Sequence, residues 1–257
     1  NPDSLLAIKD MSERVMQPYG MVIKRLKPAK GKVVMLLSTA NAVLTDRGAE
    51  DMIMKEAGHI YAKLQAAHVP VDAAFEVNLE ENGLDGYKAI ALPGCKVIPR
   101  HLYDMIRKFE TGGGLVIADQ YLVPKFSNVL TLPRKAPAWR GEAALEKEHI
   151  DQARDVHRAL DSRITRWADC DSPSVILSVL EHESDKYLFT INNLRRTGDY
   201  MKPWGRVLDD GVAQETVVRI RQADCVIYDA LAREKIVPRS SEGWMSWKVR
   251  LGPGEGR

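Results

Sequence analysis

Residues 87 to 120 read YKAIALPGCKVIPRHLYDMIRKFETGGGLVIADQ, and they predict a complete strand–helix–strand unit. Lys88–Leu92 and Leu115–Ala118 are short apolar runs without polar alternation, which is typical of strands buried on both faces of a parallel sheet. Between them, Pro99 suits a first helical turn because its nitrogen has no hydrogen to donate. Gly112 can adopt the left-handed conformation that ends a helix. This order predicts a right-handed βαβ unit.

The residues before and after this unit extend the same pattern. Continuous apolar runs predict further strands over Val33–Leu37, Val71–Val77 and Val129–Leu132. Glu50–Ala67 has apolar residues at helical spacing, and Asn78–Gly86 is a polar, acidic segment that predicts a turn. We therefore expect an α/β fold: a doubly wound, mostly parallel sheet of about four or five strands with helices on both faces.

The pattern changes in the second half of the chain. Glu142–Trp167 predicts a long, highly charged helix, and short runs rich in β-branched and aromatic residues follow Pro173. These runs predict strands of a small antiparallel β-sandwich. The expected organisation is an N-terminal helical linker (1–29), an α/β domain (30–136), a connecting helix (137–170) and a β-sandwich domain (171–257).

Composition excludes several classes of partner. The 257 residues include 37 basic and 35 acidic side chains, a net charge of +2, so neither nucleic acid nor an anionic membrane is expected as a partner. No apolar run approaches the ~20 residues that span a bilayer. The absence of a visible signal peptide slightly favours the cytoplasm, and a start at Asn1 instead of Met indicates an excised piece of a longer protein. Three widely separated cysteines favour free thiols over disulfides or a zinc site.

The central motifs resemble those of a known family. LPG (92–94) at the end of a strand, a helix, and the strand GGGLVIAD (112–119) resemble the glutamine-amidotransferase-like domain of large glycoside hydrolases. The likeness is greatest to the so-called trimerisation domain of family 42 β-galactosidases. Segments 19–38, 226–238 and 247–257 are similar to the family's barrel link and terminal β domain. The resemblance implies an amidotransferase-like, flavodoxin-like α/β domain that forms a homo-oligomer, as a trimer in the parent, beside a catalytic barrel.

Cys95 is the first candidate for catalysis. The resemblance implies that active amidotransferases place a cysteine at a sharp strand-to-helix elbow. Here that elbow follows Leu115–Ala118 and reads Asp119-Gln120-Tyr121, without a thiol or hydroxyl nucleophile. Cys95 instead follows Pro93-Gly94, where active members present N–H groups to an oxyanion. We therefore expect an inactive domain; the alternative is a stand-alone amidotransferase-like or α/β-type hydrolase that uses Cys95.

Other motifs do not predict a cofactor, metal or glycosidase site. The glycines 112–114 close a helix and precede a strand, whereas a phosphate loop follows a strand and opens a helix. The acidic pairs Glu80/Glu81, Glu181/Glu183 and Asp209/Asp210 lie in predicted turns or on strands of the β domain. Glycoside hydrolysis needs two carboxylic side chains flanking the bond. The resemblance implies that this pair lies in the barrel.

Residues 193–211, NLRRTGDYMKPWGRVLDDG, form a long insertion between predicted strands. The aromatic residues Tyr200 and Trp204 lie among hydrogen-bonding residues that include Arg195 and Arg206, a composition found where proteins contact sugars or partner surfaces. The alternative is that Trp204 anchors the loop to its own sandwich.

The sequence thus predicts a non-catalytic accessory or oligomerisation region of a carbohydrate-active protein. A carbohydrate-binding module is a further alternative.

Overall fold

The computed structural model describes residues 2–45, 49–133, 142–194, 200–201, 205–206 and 211–257. It has a mixed α/β architecture with one five-stranded parallel sheet and several antiparallel sheets. The chain divides into two compact units. One comprises residues 30–166, called the α/β unit, and the other comprises residues 1–29 and 167–257, called the β unit.

Helices and strands are numbered in chain order. The helices are α1 (Pro2–Met11), a π-helical turn (Ser12–Met16), α2 (Gln17–Ile23), α3 (Thr39–Leu44), α4 (Ala49–Ala66), α5 (Glu76–Asn82), α6 (Arg100–Thr111) and α7 (Glu142–Leu160). The strands are β1 (Lys27–Pro28), β2 (Val33–Leu36), β3 (Val71–Ala74), β4 (Ala89–Leu92), β5 (Leu115–Ala118), β6 (Val129–Thr131), β7 (Ala168–Cys170), β8 (Val175–His182), β9 (Asp185–Asn192), β10 (Tyr200–Met201), β11 (Gly205–Arg206), β12 (Gln214–Ile220), β13 (Ile227–Asp229), β14 (Glu234–Ile236), β15 (Arg239–Ser241) and β16 (Trp244–Leu251).

The parallel sheet of the α/β unit has the strand order β3-β2-β4-β5-β6. Every neighbouring pair is parallel, with Val33 opposite both Val71 and Ala89, and Ala89 opposite Leu115. The predicted strand–helix–strand unit is confirmed as β4, α6 and β5. The strand order reverses between β2 and β4, which creates the kind of crevice in which α/β proteins usually bind ligands.

Alternate residues of the buried strands enter two separate apolar cores. Val33, Ala89 and Ile117 pack on one side with residues of α4 and α7, whereas Ile90 and Val116 pack on the other with residues of α5 and α6. Helices therefore cover both faces of the sheet. This double burial explains why its central strands contain continuous apolar runs.

Three local predictions in the α/β unit were wrong. The helix predicted over Glu142–Trp167 ends at Leu160. The strand predicted over Val71–Val77 ends at Ala74, and α5 begins at Glu76 within the segment predicted to finish that strand and enter a turn. The left-handed glycine after α6 is Gly113, with φ +94, while Gly112 has φ −75.

Gly114 meets a different requirement at the same bend. A Cβ at this position would overlap the ring of Phe109, so the close approach of helix and strand excludes a side chain.

The β unit confirms the predicted antiparallel strands. Its larger sheets have the orders β1-β8-β9 and β15-β16-β12-β7, and β13 pairs with β14 as a hairpin. Val175 and Leu188 from the first of these sheets pack with Val218 and Val249 from the second in a common apolar core. Within the described ranges, no helix combines the length and hydrophobicity needed to cross a membrane.

Candidate functional site

The candidate site of the α/β unit lies where the chain leaves β2, β4 and β5. Ser38 and Asn41 follow β2, Gly94 and Cys95 follow β4, and Asp119 follows β5. All five residues are buried. These strands are parallel neighbours, so their carboxyl ends bring the residues to one edge of the sheet, beside the reversal of strand order.

The segment directly after β2, Ser38 to Asn41, begins helix α3. Ser38 is the N-cap, and its Oγ accepts from the Asn41 N–H at 3.0 Å. The same hydroxyl donates to Glu76 Oε1 at 2.6 Å, while Glu76 also accepts from the N–H groups of Thr39 (2.9 Å) and Ala40 (3.0 Å). The first turn of α3 is therefore occupied by a carboxylate of the protein itself.

The hydrogen bonds to Glu76 lower its pKa. Its partial burial is the largest single effect and raises the pKa, but the hydrogen bonds from Ser38, Thr39 and Ala40 together outweigh it. The pKa of Glu76 consequently lies below its ordinary value of 4.5. Glu76 remains a capping anion near neutral pH.

Asn41 connects the end of β2 to the turn after β4. Its side chain is fully buried, and Nδ2 donates to the Gly94 carbonyl at 2.8 Å. Its Oδ1 accepts from the N–H groups of Lys96 (2.9 Å) and Val97 (3.0 Å). One amide thus satisfies three backbone groups and fixes the conformation of the turn that contains Cys95.

Asp119 occupies the elbow at which the resemblance places a nucleophile in active enzymes. Its Oδ2 accepts from the Gly94 N–H at 2.5 Å, and Oδ1 accepts from the Tyr121 N–H at 2.8 Å. Burial raises the pKa of Asp119 above its ordinary value of 3.8, although both N–H groups and the charge of Lys63 oppose the rise. The Gly94 N–H expected to face an oxyanion is bonded to this carboxyl group.

Cys95 has the properties of an inert core thiol. It is 2% exposed and packs in the apolar core with residues of α6. Burial, followed by the negative charges of Asp119 and Glu76, raises the pKa of its thiol to about 12. A nucleophilic cysteine needs the thiolate, which this environment disfavours.

Lys63 is a buried cation of α4, the helix that packs on the face of the sheet opposite α5 and α6. Its side chain is 1% exposed, and Nζ donates to the carbonyls of Leu132 (3.0 Å) and Pro133 (3.3 Å), just after β6. Because its charge also lowers the pKa of Asp119, it is electrostatically linked to the candidate site. Sequence reasoning missed this residue, since a lysine in an amphipathic helix is normally exposed.

The other candidates from the sequence are distributed elsewhere. Tyr200 and Arg206 are opposite each other in the β10–β11 hairpin, whereas Arg195 and Trp204 lie outside the described residues. Their predicted contact with a carbohydrate or partner therefore stays a prediction.

The acidic pairs have separate environments. Glu80 bonds to His101 at 2.5 Å, and Glu181 bonds to Lys186 at 2.8 Å. Glu183 lies in the turn between β8 and β9, while Asp209 and Asp210 are outside the described residues.

Sequence reasoning did not identify Asn41 and Asp119 as residues that both bind Gly94. The available signal was positional: a polar residue follows each of two buried strands at the end where ligands usually bind. Here both side chains bind backbone groups, so the described geometry favours a structural role over a reactive centre.

The architecture is a glycoside-hydrolase-like fold. The chain matches α-L-fucosidase isoenzyme 2 from Paenibacillus thiaminolyticus with a TM-score of 0.61 and 12% identity, covering 93% of this chain and 49% of that chain. It matches a β-galactosidase from Bacillus circulans sp. alkalophilus with a TM-score of 0.59 and 10% identity, covering 96% and 43%, respectively.

A catalytic mutant of a GH42 β-galactosidase from G. stearothermophilus gives a TM-score of 0.54 at 12% identity, covering 90% of this chain and 40% of that chain. The chain therefore spans less than half the length of these enzymes. No family model and no curated protein matches it. At such identities the likeness establishes the fold alone.

Proposed function

We propose that this chain is a non-catalytic accessory region of a larger carbohydrate-active protein and contributes to its assembly. The fold similarity supports the first part, because the chain corresponds to 40–49% of β-galactosidase and fucosidase chains. In this proposal, a catalytic barrel elsewhere in the parent carries out glycoside hydrolysis. The α/β unit, amidotransferase-like in its motifs, provides contacts between copies.

The hydrogen bond from the Gly94 N–H to Asp119 is the observation that carries the non-catalytic role. An oxyanion hole requires donors that are free to bind developing negative charge. At Gly94 the donor already binds an acidic side chain, and that side chain stands where the nucleophile would be. The buried Cys95 thiol bonds to the Val97 carbonyl at 3.8 Å, and its pKa is raised to about 12.

The chain should not hydrolyse glutamine, simple esters or aryl glycosides above the buffer rate. The reason is the combined absence of an elbow nucleophile and of a free Gly94 N–H. Release of ammonia, acid and nitrophenol would be measured at protein concentrations near the solubility limit. Turnover that persists in repurified protein and disappears in Cys95→Ala would refute the non-catalytic proposal.

An exposed apolar surface supports the assembly role. Val43 and Leu44 in α3 are 72% and 68% exposed, while Phe75 and Val77 at the start of α5 are each 52% exposed. Glu76 joins these short helices through its bonds to Thr39 and Ala40. We call these four residues the α3–α5 surface. Exposed apolar side chains on two linked helices are candidates for protein–protein contacts.

The chain should self-associate at micromolar concentration, with a trimer as the expected closed assembly. Val43→Lys combined with Phe75→Lys should abolish association, because both substitutions place charge on the α3–α5 surface. Sedimentation velocity over a concentration series provides the measurement.

The matched control is Val226→Lys with Val237→Lys, which changes two exposed valines of the β unit by the same charge. It should leave association unchanged. If the native chain sediments as a monomer throughout, both alone and within its parent, the assembly proposal is wrong. Equal loss of association in both double variants would exclude the α3–α5 surface as the contact.

A further inference from the structure

The β unit contains a cleft of about 580 Å³ that the sequence did not reveal. Its walls come from β16, the neighbouring strands β12 and β15, the β13–β14 hairpin and the last residues of the chain. This volume lies within the range of about 300–1,000 Å³ found for small-molecule sites. The charged lining residues are Asp229, Glu234, Lys235, Arg239, Lys248, Arg250 and Arg257.

Positive charge predominates in this cleft, because five of those side chains are basic and two are acidic. Arg257 is already held by Asp229 at 3.3 Å and by Glu255 at 3.0 Å. Lys248 bonds to Glu215 at 3.1 Å in an exposed pair. No ion pair joins Lys235, Arg239 or Arg250 to any other residue in the described part of the chain. These three cations remain available to a ligand.

The strand register places the cations in a row. Ser246, Lys248 and Arg250 alternate along β16 and therefore share one face of the strand. Arg239 of β15 is directly opposite Ser246, which extends this face across the sheet. Arg250 is opposite Glu215, whose carboxylate bonds to Lys248. One carboxylate thus lies between two cations and does not neutralise both.

The spacing of this row distinguishes between kinds of anion. Residues two apart in a strand are about 7 Å apart, so Ser246 and Arg250 are separated by about 13 Å along β16. This backbone spacing matches a short chain with repeated acidic groups, and guanidinium groups bind planar or tetrahedral oxyanions through paired N–H donors.

We propose that this cleft binds an acidic oligosaccharide, one that carries carboxylate or sulfate groups on successive sugars. Arg239 and Arg250 bind the acidic groups. The choice of a saccharide among extended anions rests on the proposed carbohydrate-active parent. The proposed cleft is separate from the predicted contact through Tyr200 and Trp204.

The test is calorimetric titration of the full 257-residue chain with four probes at low and high salt. The probes are a sulfated tetrasaccharide, a tetragalacturonate, a neutral galactose tetrasaccharide and sodium sulfate. An aspartate peptide of the same charge as the acidic sugars is titrated in parallel. The test variant is Arg239→Gln with Arg250→Gln.

The control variant is Lys24→Gln with Arg25→Gln, which changes the net charge equally at exposed positions after α2. Circular dichroism of each variant establishes that it folds.

The expected result is measurable binding of at least one acidic tetrasaccharide. The test variant should weaken it by about tenfold or more, the control variant should weaken it less than about twofold, and added salt should reduce it. Equal binding of the neutral sugar would refute the role of charge. Equal binding of sulfate or of the peptide would refute the proposal that the ligand is a saccharide. No binding of any probe would refute the site, while sedimentation would still test assembly independently.

Discussion

Replacing Asn41 by alanine should lower the free energy of unfolding by about 3 kcal/mol or more. The substitution removes hydrogen bonds to the Gly94 carbonyl and to the N–H groups of Lys96 and Val97. Each hydrogen bond contributes about 1 kcal/mol net, and a buried group left without a partner costs about 1–3 kcal/mol. Because Asn41 is 0% exposed, the cost of each group left without a partner should lie near the upper end of about 1–3 kcal/mol. Urea denaturation, monitored by tryptophan fluorescence and circular dichroism, provides the measurement.

Asn82→Ala is a matched control within the same unit. Asn82 is exposed, and its Nδ2 donates to the Asn78 carbonyl at 2.9 Å. Its removal should change stability by no more than about 0.5 kcal/mol, as is usual for surface substitutions. The free energy of unfolding of Asn41→Ala could instead lie within about 1 kcal/mol of the native value, with an unchanged denaturant slope. That result would show that the amide does not hold the Gly94–Val97 turn.

The strand–helix–strand core could be predicted because its local and tertiary requirements agree. β4 and β5 are apolar at every position, as strands buried on both faces must be, and α6 begins directly after Pro99. The stripe of Leu102 and Ile106 on that helix is fully buried as its spacing indicates. Here sequence periodicity and burial carry the same information.

Helix α5 could not be predicted because most of its stabilisation is not visible as periodicity. It buries only Leu79, and its first turn is fixed by Asn78, whose Oδ1 accepts from the Phe75 N–H at 3.0 Å. The apolar residues Phe75 and Val77 predict the continuation of a buried strand, although both are 52% exposed. Surface hydrophobic residues thus produced the wrong strand boundary.

The candidate site depended on contacts distant in sequence. Asn41 reaches the turn 53 residues later, and Asp119 reaches back 25 residues to Gly94. Sequence position identified the strand ends but not which polar groups would satisfy one another. The absence of an elbow thiol was visible in the sequence; the occupation of the Gly94 N–H required the three-dimensional arrangement.

Lys63→Met should lower the free energy of unfolding at neutral pH by about 3 kcal/mol or more. Methionine retains much of the side-chain length, so little cavity is expected, but it cannot donate to the Leu132 and Pro133 carbonyls. Hydrogen bonds from charged groups contribute about 1.5–3 kcal/mol each, and the loss of a buried charged partner is among the larger single-site effects.

The deficit of Lys63→Met should also depend on pH, because Lys63 lowers the pKa of Asp119. The folded-state pKa of Asp119 lies above its ordinary value of 3.8, so the folded protein holds this proton more tightly than the unfolded chain. Stability from this group is therefore present at low pH and is lost as pH rises through the raised pKa. Without Lys63 that pKa should rise further, and the loss should continue to higher pH.

Lys55→Met separates this effect from a general change of charge. Lys55 is exposed on the same helix, and its replacement removes the same positive charge. The control should change stability by less than about 1 kcal/mol, as exposed ion pairs contribute little. For Lys63→Met, denaturation from acid to neutral pH should show a deficit that grows as pH rises, because Asp119 ionises without its neighbouring cation. A small deficit, or one that shrinks towards neutral pH, would show that Lys63 does not support the charge of Asp119.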